Sequence, residues 1–183
     1  MTHLRSTVLV NSMKIVRDRG LDGEYWPSLK PETEEIFRAM VAQGWVPVEL
    51  AVEHYPVLAR LIPNALDHWA IGKQAAERLQ ALYVRTVVQL LRASGALTVE
   101  RVLGRLRDAF NRMMQGGTVT IHKTGPKDAE VLLTDMPLLD IPYFRNNLAA
   151  WLAAVANLAA KTVRLRVAGT PKPEATLYTV AWV

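Results

Sequence analysis

The last third of the chain holds four short segments in which apolar and polar residues alternate, with one apolar run between the second and third. The alternating segments are 117–123, 129–134, 162–168 and 175–183, and the apolar run is 148–160. A period of two residues predicts a strand with one buried face, whereas a long apolar run between strands predicts a buried helix. The order therefore predicts an α+β fold whose C-terminal half is a β-β-α-β-β unit, a four-stranded antiparallel sheet covered by one helix.

The residues before this unit have the period of helices, which we expect to pack with the sheet. We expect one domain over residues 1–183, with a helical part at about 7–115 and the sheet with its crossover helix at about 117–183. Pro56 falls inside one predicted helix, which we expect it to kink or split. The predicted helices span residues 7–19, 31–43, 48–61, 65–93 and 99–114.

The composition excludes several classes of site. The chain has no cysteine, which excludes disulfides, thiolate zinc sites, iron–sulfur clusters and cysteine nucleophiles, and fits a reducing cytoplasm. The N-terminus lacks the apolar core of a secretion signal, and the apolar run 148–160 is too short to span a bilayer. We therefore expect a cytoplasmic protein without a membrane span.

Motifs that carry catalysis are also missing from the sequence. None of the four serines lies in a Gly-x-Ser-x-Gly elbow, and Gly116-Gly117 precedes a strand rather than the helix that phosphate binding needs. Neighbouring carboxylates such as Glu34 and Glu35 fit a solvated helix face. We expect a protein that is not an enzyme and has no cofactor.

Five short patterns along the chain carry a resemblance to a known family. They are Gly44-Trp45-Val46-Pro47, Ile71-Gly72-Lys73-Gln74-Ala75-Ala76, Gly116-Gly117, Lys161-Thr162-Val163-Arg164-Leu165 and Val180-Ala181-Trp182. With them the chain, from about residue 7 to its end, resembles a myxobacterial paralogous family of uncharacterised proteins of similar length. That family is similar to the 4-vinyl-reductase-type small-molecule-binding domain and, more remotely, to the heme–nitric-oxide-binding domain.

The resemblance implies an α+β domain that encloses a hydrophobic pocket, often within a dimer, and that senses small molecules or serves in assembly. Zinc-binding members use cysteines near their C-terminal strands, and this chain has none. Heme-binding members carry Tyr-x-Ser-x-Arg, whereas the nearest string here is Tyr83-Val84-Arg85-Thr86-Val87. Neither ligand set is transferred to this chain.

Aromatic residues on the apolar helix faces give the first functional hypothesis, a binding or regulatory module for a small hydrophobic ligand or a protein partner. They line either a pocket or simply the core, since large aromatic side chains suit both places. We also expect a homodimer, in which the apolar C-terminal strand is either buried in the sheet or exposed at a dimer edge. The predicted ligand-binding residues are Trp45, His54, Tyr55, Trp69, Tyr83 and Trp151.

Two alternative functions rest on other residues. His54 and His68 lie beside Glu53 and Asp67 and form a candidate site for heme or a divalent metal in a sensor. Residues 85–127 carry eight basic and two acidic side chains, a candidate surface for nucleic acid or another polyanion, although no helix-turn-helix accompanies it. The exposed basic surface is predicted at Arg101, Arg105, Arg112, Arg164 and Arg166.

Overall fold

The computed structural model describes the backbone of residues 1–83 and 97–183, and the side chains of residues 1–77 and 97–183. The helices of the described residues are α1 (Ser6–Asp18), α2 (Asp22–Tyr25), α3 (Pro31–Ala39), α4 (Val48–Leu61), α5 (Ala65–Tyr83), α6 (Val99–Gly104), α7 (Leu106–Met113) and α8 (Pro142–Ala156). The strands are β1 (His3–Arg5), β2 (Trp45–Pro47), β3 (Met114–Gln115), β4 (Thr118–Gly125), β5 (Asp128–Thr134), β6 (Val163–Gly169) and β7 (Thr176–Trp182).

The C-terminal half is the predicted four-stranded antiparallel sheet, which confirms the α+β fold class. Its strand order is β4-β5-β7-β6, so the last strand lies in the interior of the sheet and not at an edge. Val131 lies opposite Tyr178, and Leu165 lies opposite Val180. All four of these side chains are buried, because residues paired across antiparallel strands point to the same face.

Helix α8 covers this buried face of the sheet and contacts β6 and β7. It begins at Pro142, six residues before the predicted apolar run, and ends at Ala156, four residues before the end of that run. Proline suits the first turn of a helix because its missing N–H would have no partner there. Arg145, Asn146 and Asn147, which stand between this start and the apolar run, hid the first turns from the sequence pattern.

Helices α5 and α8 cross at close range, and small residues make the crossing possible. A Cβ atom on Gly72 would lie 2.9 Å from the Cβ atom of Ala150 and closer still to the backbone oxygen of Asn147. Ala76 and Ala149 are also buried. Helix α5 begins where the sequence predicts it, and the predicted continuation over residues 84–93 lies outside the described residues.

Three details differ from the sequence expectations. A second, three-stranded antiparallel sheet of order β2-β1-β3 joins the N-terminus to the helices. The predicted helix 99–114 is instead two helices, because the chain turns at Arg105 between α6 and α7. Of the two effects expected of Pro56, splitting of α4 does not occur, since Pro56 lies on the exposed side, where water can hydrate the carbonyl that proline leaves without a bond. The kink stays a prediction.

The helix lengths also bear on the membrane question. Within the described residues, none of the helices combines the length and the apolar character that crossing a membrane requires.

Candidate functional site

Polar and aromatic side chains from α1, α2, α4, α5 and α8 meet in the core. Such groups are seldom buried unless they hydrogen-bond one another. We call this set the polar core cluster. Its members are Ser12 on α1, Tyr25 on α2, His54 and Tyr55 on α4, His68 on α5 and Tyr143 on α8.

His54 joins one half of the polar core cluster and is fully buried. Its Nδ1 atom lies 2.6 Å from the hydroxyl of Tyr25, and its Nε2 atom lies 2.7 Å from the hydroxyl of Ser12. The ring also packs edge-on against Phe37 and Tyr55 at 5.6 and 4.8 Å between centroids. Burial lowers the pKa of His54 from 6.5 to about 3, so the imidazole is neutral at physiological pH.

Tyr143 connects the other half of the polar core cluster, because its ring lies between those of Tyr55 and His68. The centroid distances are 6.0 Å to Tyr55 and 4.8 Å to His68. The Nε2 atom of His68 donates to the backbone oxygen of Ile62 at 2.6 Å, since a carbonyl can only accept. Its Nδ1 atom then accepts from the side-chain amide of Asn146 at 3.3 Å.

The hydroxyl of Tyr143 is buried yet has no hydrogen-bond partner among the described residues. Burial raises the pKa of this phenol, and the nearby positive charge of Arg19 opposes the shift. Ser12 and Asn147 also lie close enough to oppose this rise in the pKa, but neither reaches hydrogen-bonding geometry with the hydroxyl. An unpaired buried hydroxyl costs about 1–3 kcal/mol, so it marks a place where a partner would stabilise the protein.

A groove of about 530 Å³ lies between α1 and α5, the helices that supply Ser12 and His68 to the polar core cluster. Arg19 lines this groove, pairs with Asp67 at 3.0 Å, and acts electrostatically on the Tyr143 hydroxyl. The groove and the cluster are therefore neighbours. The groove is lined by Ile15, Asp18, Arg19, Ala70, Ile71, Lys73, Gln74 and Glu77.

Neither buried histidine offers a free ring nitrogen for a metal. Both nitrogens of His54 and both of His68 are engaged by protein groups. The other two histidines, His3 and His122, are partly or fully exposed, and the part of the chain that the structure describes holds no cluster of three metal-ligating side chains. Heme or a metal ion ligated by His54 or His68 does not fit the hydrogen bonds that these two rings make.

Among the predicted ligand-binding residues whose side chains the structure describes, His54 and Tyr55 are in ring contact with each other. Trp45 lies in the three-stranded sheet beneath the guanidinium of Arg5, 4.3 Å from its ring centroid. Trp151 packs edge-on against Phe110 at 6.1 Å.

The remaining two predicted residues lie on α5. Trp69 is half-buried beside His68, and the side chain of Tyr83 lies outside the described residues. The role of all six residues in ligand binding stays a prediction.

The five predicted basic residues are all exposed, but they lie on different elements of the fold. Arg101 is on α6, Arg105 is at the turn between α6 and α7, and Arg112 is on α7, whereas the other two are on strand β6. Arg105 pairs with Asp108 at 3.3 Å, and Lys123 of the same basic region pairs with Glu100 at 3.2 Å. Binding of a polyanion stays a prediction, and part of region 85–127 lies outside the described residues.

Sequence reasoning missed Ser12, Tyr25 and Tyr143 as members of the site. A signal for Ser12 was present, because it lies on one helix face with Leu9 and Val16, where the pattern calls for an apolar residue. Tyr25 follows a loop, and Tyr143 precedes the apolar run. Neither position carries a periodic pattern.

Comparisons with known proteins agree with this architecture. The sequence profile of a family described as "Protein of unknown function (DUF2378)" matches residues 35–183. No curated protein matches the sequence.

Two solved structures are similar over nearly the whole chain. A point mutant of the Fe(II) unliganded H-NOX protein from K. algicida has a TM-score of 0.72 at 6% identity, with 98% of this chain and 97% of that chain covered. The same protein without the mutation has a TM-score of 0.68 at the same identity and coverage. At this identity the likeness shows the fold.

Proposed function

Because this chain belongs to the DUF2378 family and has the fold of H-NOX proteins, we propose that it is a non-enzymatic binding and regulatory module. Its ligand is a small molecule, and its site is the polar core cluster with the groove between α1 and α5. The absence of cysteine supports a place in the cytoplasm. The resemblance to the 4-vinyl-reductase-type domain, which binds small molecules, points in the same direction and itself stays a prediction.

The observation that carries this proposal is the buried, unpaired hydroxyl of Tyr143, which does not line the groove itself but feels the charge of Arg19 in the groove wall. A protein that only needed to pack this position would gain stability from phenylalanine, since the hydroxyl costs free energy without a partner. A polar group of a ligand that enters from the groove would supply that partner.

The walls of the groove indicate the chemistry of the ligand. Ile15, Ala70 and Ile71 give it an apolar part, and its charged part holds two cations and two carboxylates, those of Arg19, Lys73, Asp18 and Glu77. We therefore propose an amphipathic molecule whose apolar body contacts the isoleucines and whose polar end reaches the Tyr143 hydroxyl and Arg19. The alternative occupant is a segment of a protein partner, which the mixed charges of the rim also suit.

Heme remains the second candidate, because the similar solved structures are of Fe(II) H-NOX proteins. The bonded nitrogens of His54 and His68 argue against ligation by histidine in this chain. A ligand that needs no histidine agrees better with the hydrogen bonds that already occupy the ring nitrogens of both histidines.

Native mass spectrometry of the freshly purified protein, with an absorbance scan of the same sample, tests the proposal. We expect an organic molecule bound in stoichiometric amount and no Soret band. Stoichiometric heme would contradict the proposal, and protein without any bound molecule would favour the protein-partner alternative.

Two tyrosine variants assign the bound molecule to the site. Tyr143→Phe removes only the unpaired hydroxyl and is expected to purify without the ligand. Tyr178→Phe is the matched control, since the Tyr178 hydroxyl already donates to the backbone oxygen of Arg145 at 3.2 Å. This variant is expected to keep the ligand bound.

A further inference from the structure

The outer face of the four-stranded sheet is covered by no helix or strand among the described residues. Alternation along the strands sends one set of side chains towards α8 and the other set outward. On β7, Thr176, Tyr178 and Val180 are buried, whereas Leu177, Thr179 and Ala181 are half-exposed. The outward side chains of the three strands β5, β7 and β6, which we call the outer sheet face, are Asp128, Glu130, Leu132, Leu177, Thr179, Ala181, Arg164 and Arg166.

Charge is arranged in columns on the outer sheet face. In one row across the strands, Asp128 lies opposite Ala181, and Ala181 lies opposite Arg164. In the next row, Glu130 lies opposite Thr179, and Thr179 lies opposite Arg166. The acids are thus all on β5 and the arginines all on β6, with small uncharged residues of β7 between them.

The two columns form no ion pairs with each other within one chain. Neighbouring strands are spaced about 4.8 Å apart, so each acid lies about 10 Å from the arginine of its row. No ion pair connects Asp128, Glu130, Arg164 or Arg166 to another residue that the structure describes. The face therefore presents one acidic and one basic stripe that are both available to a partner.

We propose that the outer sheet face binds the same face of a second copy of this chain, with the two-fold axis running along β7. This rotation places β5 of each copy over β6 of the other and keeps the rows aligned. Asp128 then faces Arg164 of the second copy, and Glu130 faces Arg166, twice over by symmetry. Thr179 and Ala181 meet their own copies on the axis, where small side chains let two sheets approach to about 10 Å.

The charges select this arrangement over other two-fold pairings of the same face. An axis perpendicular to the strands would place β5 over β5 and set acid against acid, which is unfavourable. An axis between β5 and β7 would place the arginines over β4, whose outward residues include Thr120 and His122 and no acid. Only the axis along β7 pairs every charge of the two stripes with its opposite.

The area of the outer sheet face indicates a weak complex rather than a stable one. Three strands of seven residues cover roughly 14 by 23 Å, about 320 Å² on each copy, which is well below the usual 800 Å² of a stable interface. We therefore expect a weak dimer that salt weakens further, because its ion pairs lie near the surface. The inference specifies the surface of a homodimer and does not depend on the proposed ligand.

Complementary charge reversal tests the pairing by sedimentation velocity over a range of protein concentrations at low salt. The first variant carries Asp128→Arg and Glu130→Arg, and the second carries Arg164→Glu and Arg166→Glu. Each variant alone sets like charges against each other and is expected to stay monomeric. An equimolar mixture restores every opposite pair and is expected to form a heterodimer. The control variant carries Glu32→Arg and Glu35→Arg, two exposed positions on α3, and is expected to dimerise as the wild type does.

Three results would overturn the proposal. They are a monomeric wild-type protein at every concentration reached, a dimer that survives both reversals, and a mixture of the reversed variants that remains monomeric. Circular dichroism checks that the variants are folded. If a double reversal fails to fold, the single changes Glu130→Arg and Arg166→Glu probe the same pair.

Chemical crosslinking locates the axis independently, because the chain has no cysteine of its own. Thr179→Cys lies on the axis and is expected to crosslink two copies through a short bis-maleimide. Thr120→Cys on β4 lies outside the overlap and is the matched control. Equal or stronger crosslinking through position 120 would refute the axis along β7.

Discussion

The Nδ1 atom of His54 lies 2.6 Å from the hydroxyl of Tyr25 in a part of the core that water does not reach. The contact joins α4 to α2, and the second ring nitrogen extends it to Ser12 on α1. Both partners are hydroxyls, which can donate or accept, so it is burial that disfavours a protonated ring, because the charge would lie out of reach of water. The stability of the fold is therefore tied to the neutral state of this histidine.

This tie predicts a pH dependence of the free energy of unfolding. The pKa of His54 is lowered to about 3 in the fold and returns to 6.5 on unfolding, so the unfolded chain binds the extra proton between these values. Stability is complete above pH 6.5 and falls as pH falls towards 3, by up to about 1.4 kcal/mol per pH unit from this group. Denaturant titrations at several pH values measure the slope.

His54→Gln is the control for that prediction, since it keeps polar atoms near Tyr25 and Ser12 but cannot titrate. Its stability is expected to be lower than that of the wild type at neutral pH and to lose less on acidification. Equal slopes for the two proteins would show that His54 does not couple protonation to folding.

Gly72 predicts a steric limit on the crossing of α5 and α8. Gly72→Val places a side chain against the backbone oxygen of Asn147, and backbone cannot move aside as a flexible side chain would. We expect a loss of about 1–3 kcal/mol in the free energy of unfolding, measured by thermal and denaturant unfolding. Gly23→Ala, where an added Cβ meets nothing within 4 Å, is expected to leave stability unchanged or slightly raised. A tolerated valine at position 72 would contradict the close crossing.

The two buried tyrosine hydroxyls predict opposite effects on stability. Tyr143→Phe removes a hydroxyl without a partner and is expected to leave the ligand-free protein as stable as the wild type or more stable. Tyr178→Phe removes a hydrogen bond to Arg145 and is expected to cost about 1 kcal/mol. Thermal unfolding of the ligand-free proteins compares them. A larger loss for Tyr143→Phe would show that its hydroxyl has a structural partner.

The sheet could be predicted from the sequence because its strands are seven or eight residues long and alternate, and because Gly125-Pro126 marks the turn between the first two. The strands of the three-stranded sheet have two or three residues, too few for any period. The turn at Arg105 was missed because α6 and α7 continue one apolar stripe across it.

The site was harder to predict than the fold. His54 and Tyr55 stood out as an aromatic pair on a helix, but their partners lie far away in the sequence. Ser12 and Tyr143 are more than 130 residues apart, and only the packing of α1 against α8 and α4 brings them near each other. A buried hydroxyl without a partner is a property of three-dimensional packing, which composition and period do not encode.

A titration of the purified protein with hemin, followed by its absorbance spectrum, tests the central claim that this fold binds its ligand without histidine ligation. The wild-type protein, His54→Gln and His68→Gln are measured side by side. We expect no stoichiometric Soret band of a histidine-ligated heme and spectra that do not differ among the three proteins. A stoichiometric band in the wild type that either histidine variant abolishes would contradict the account.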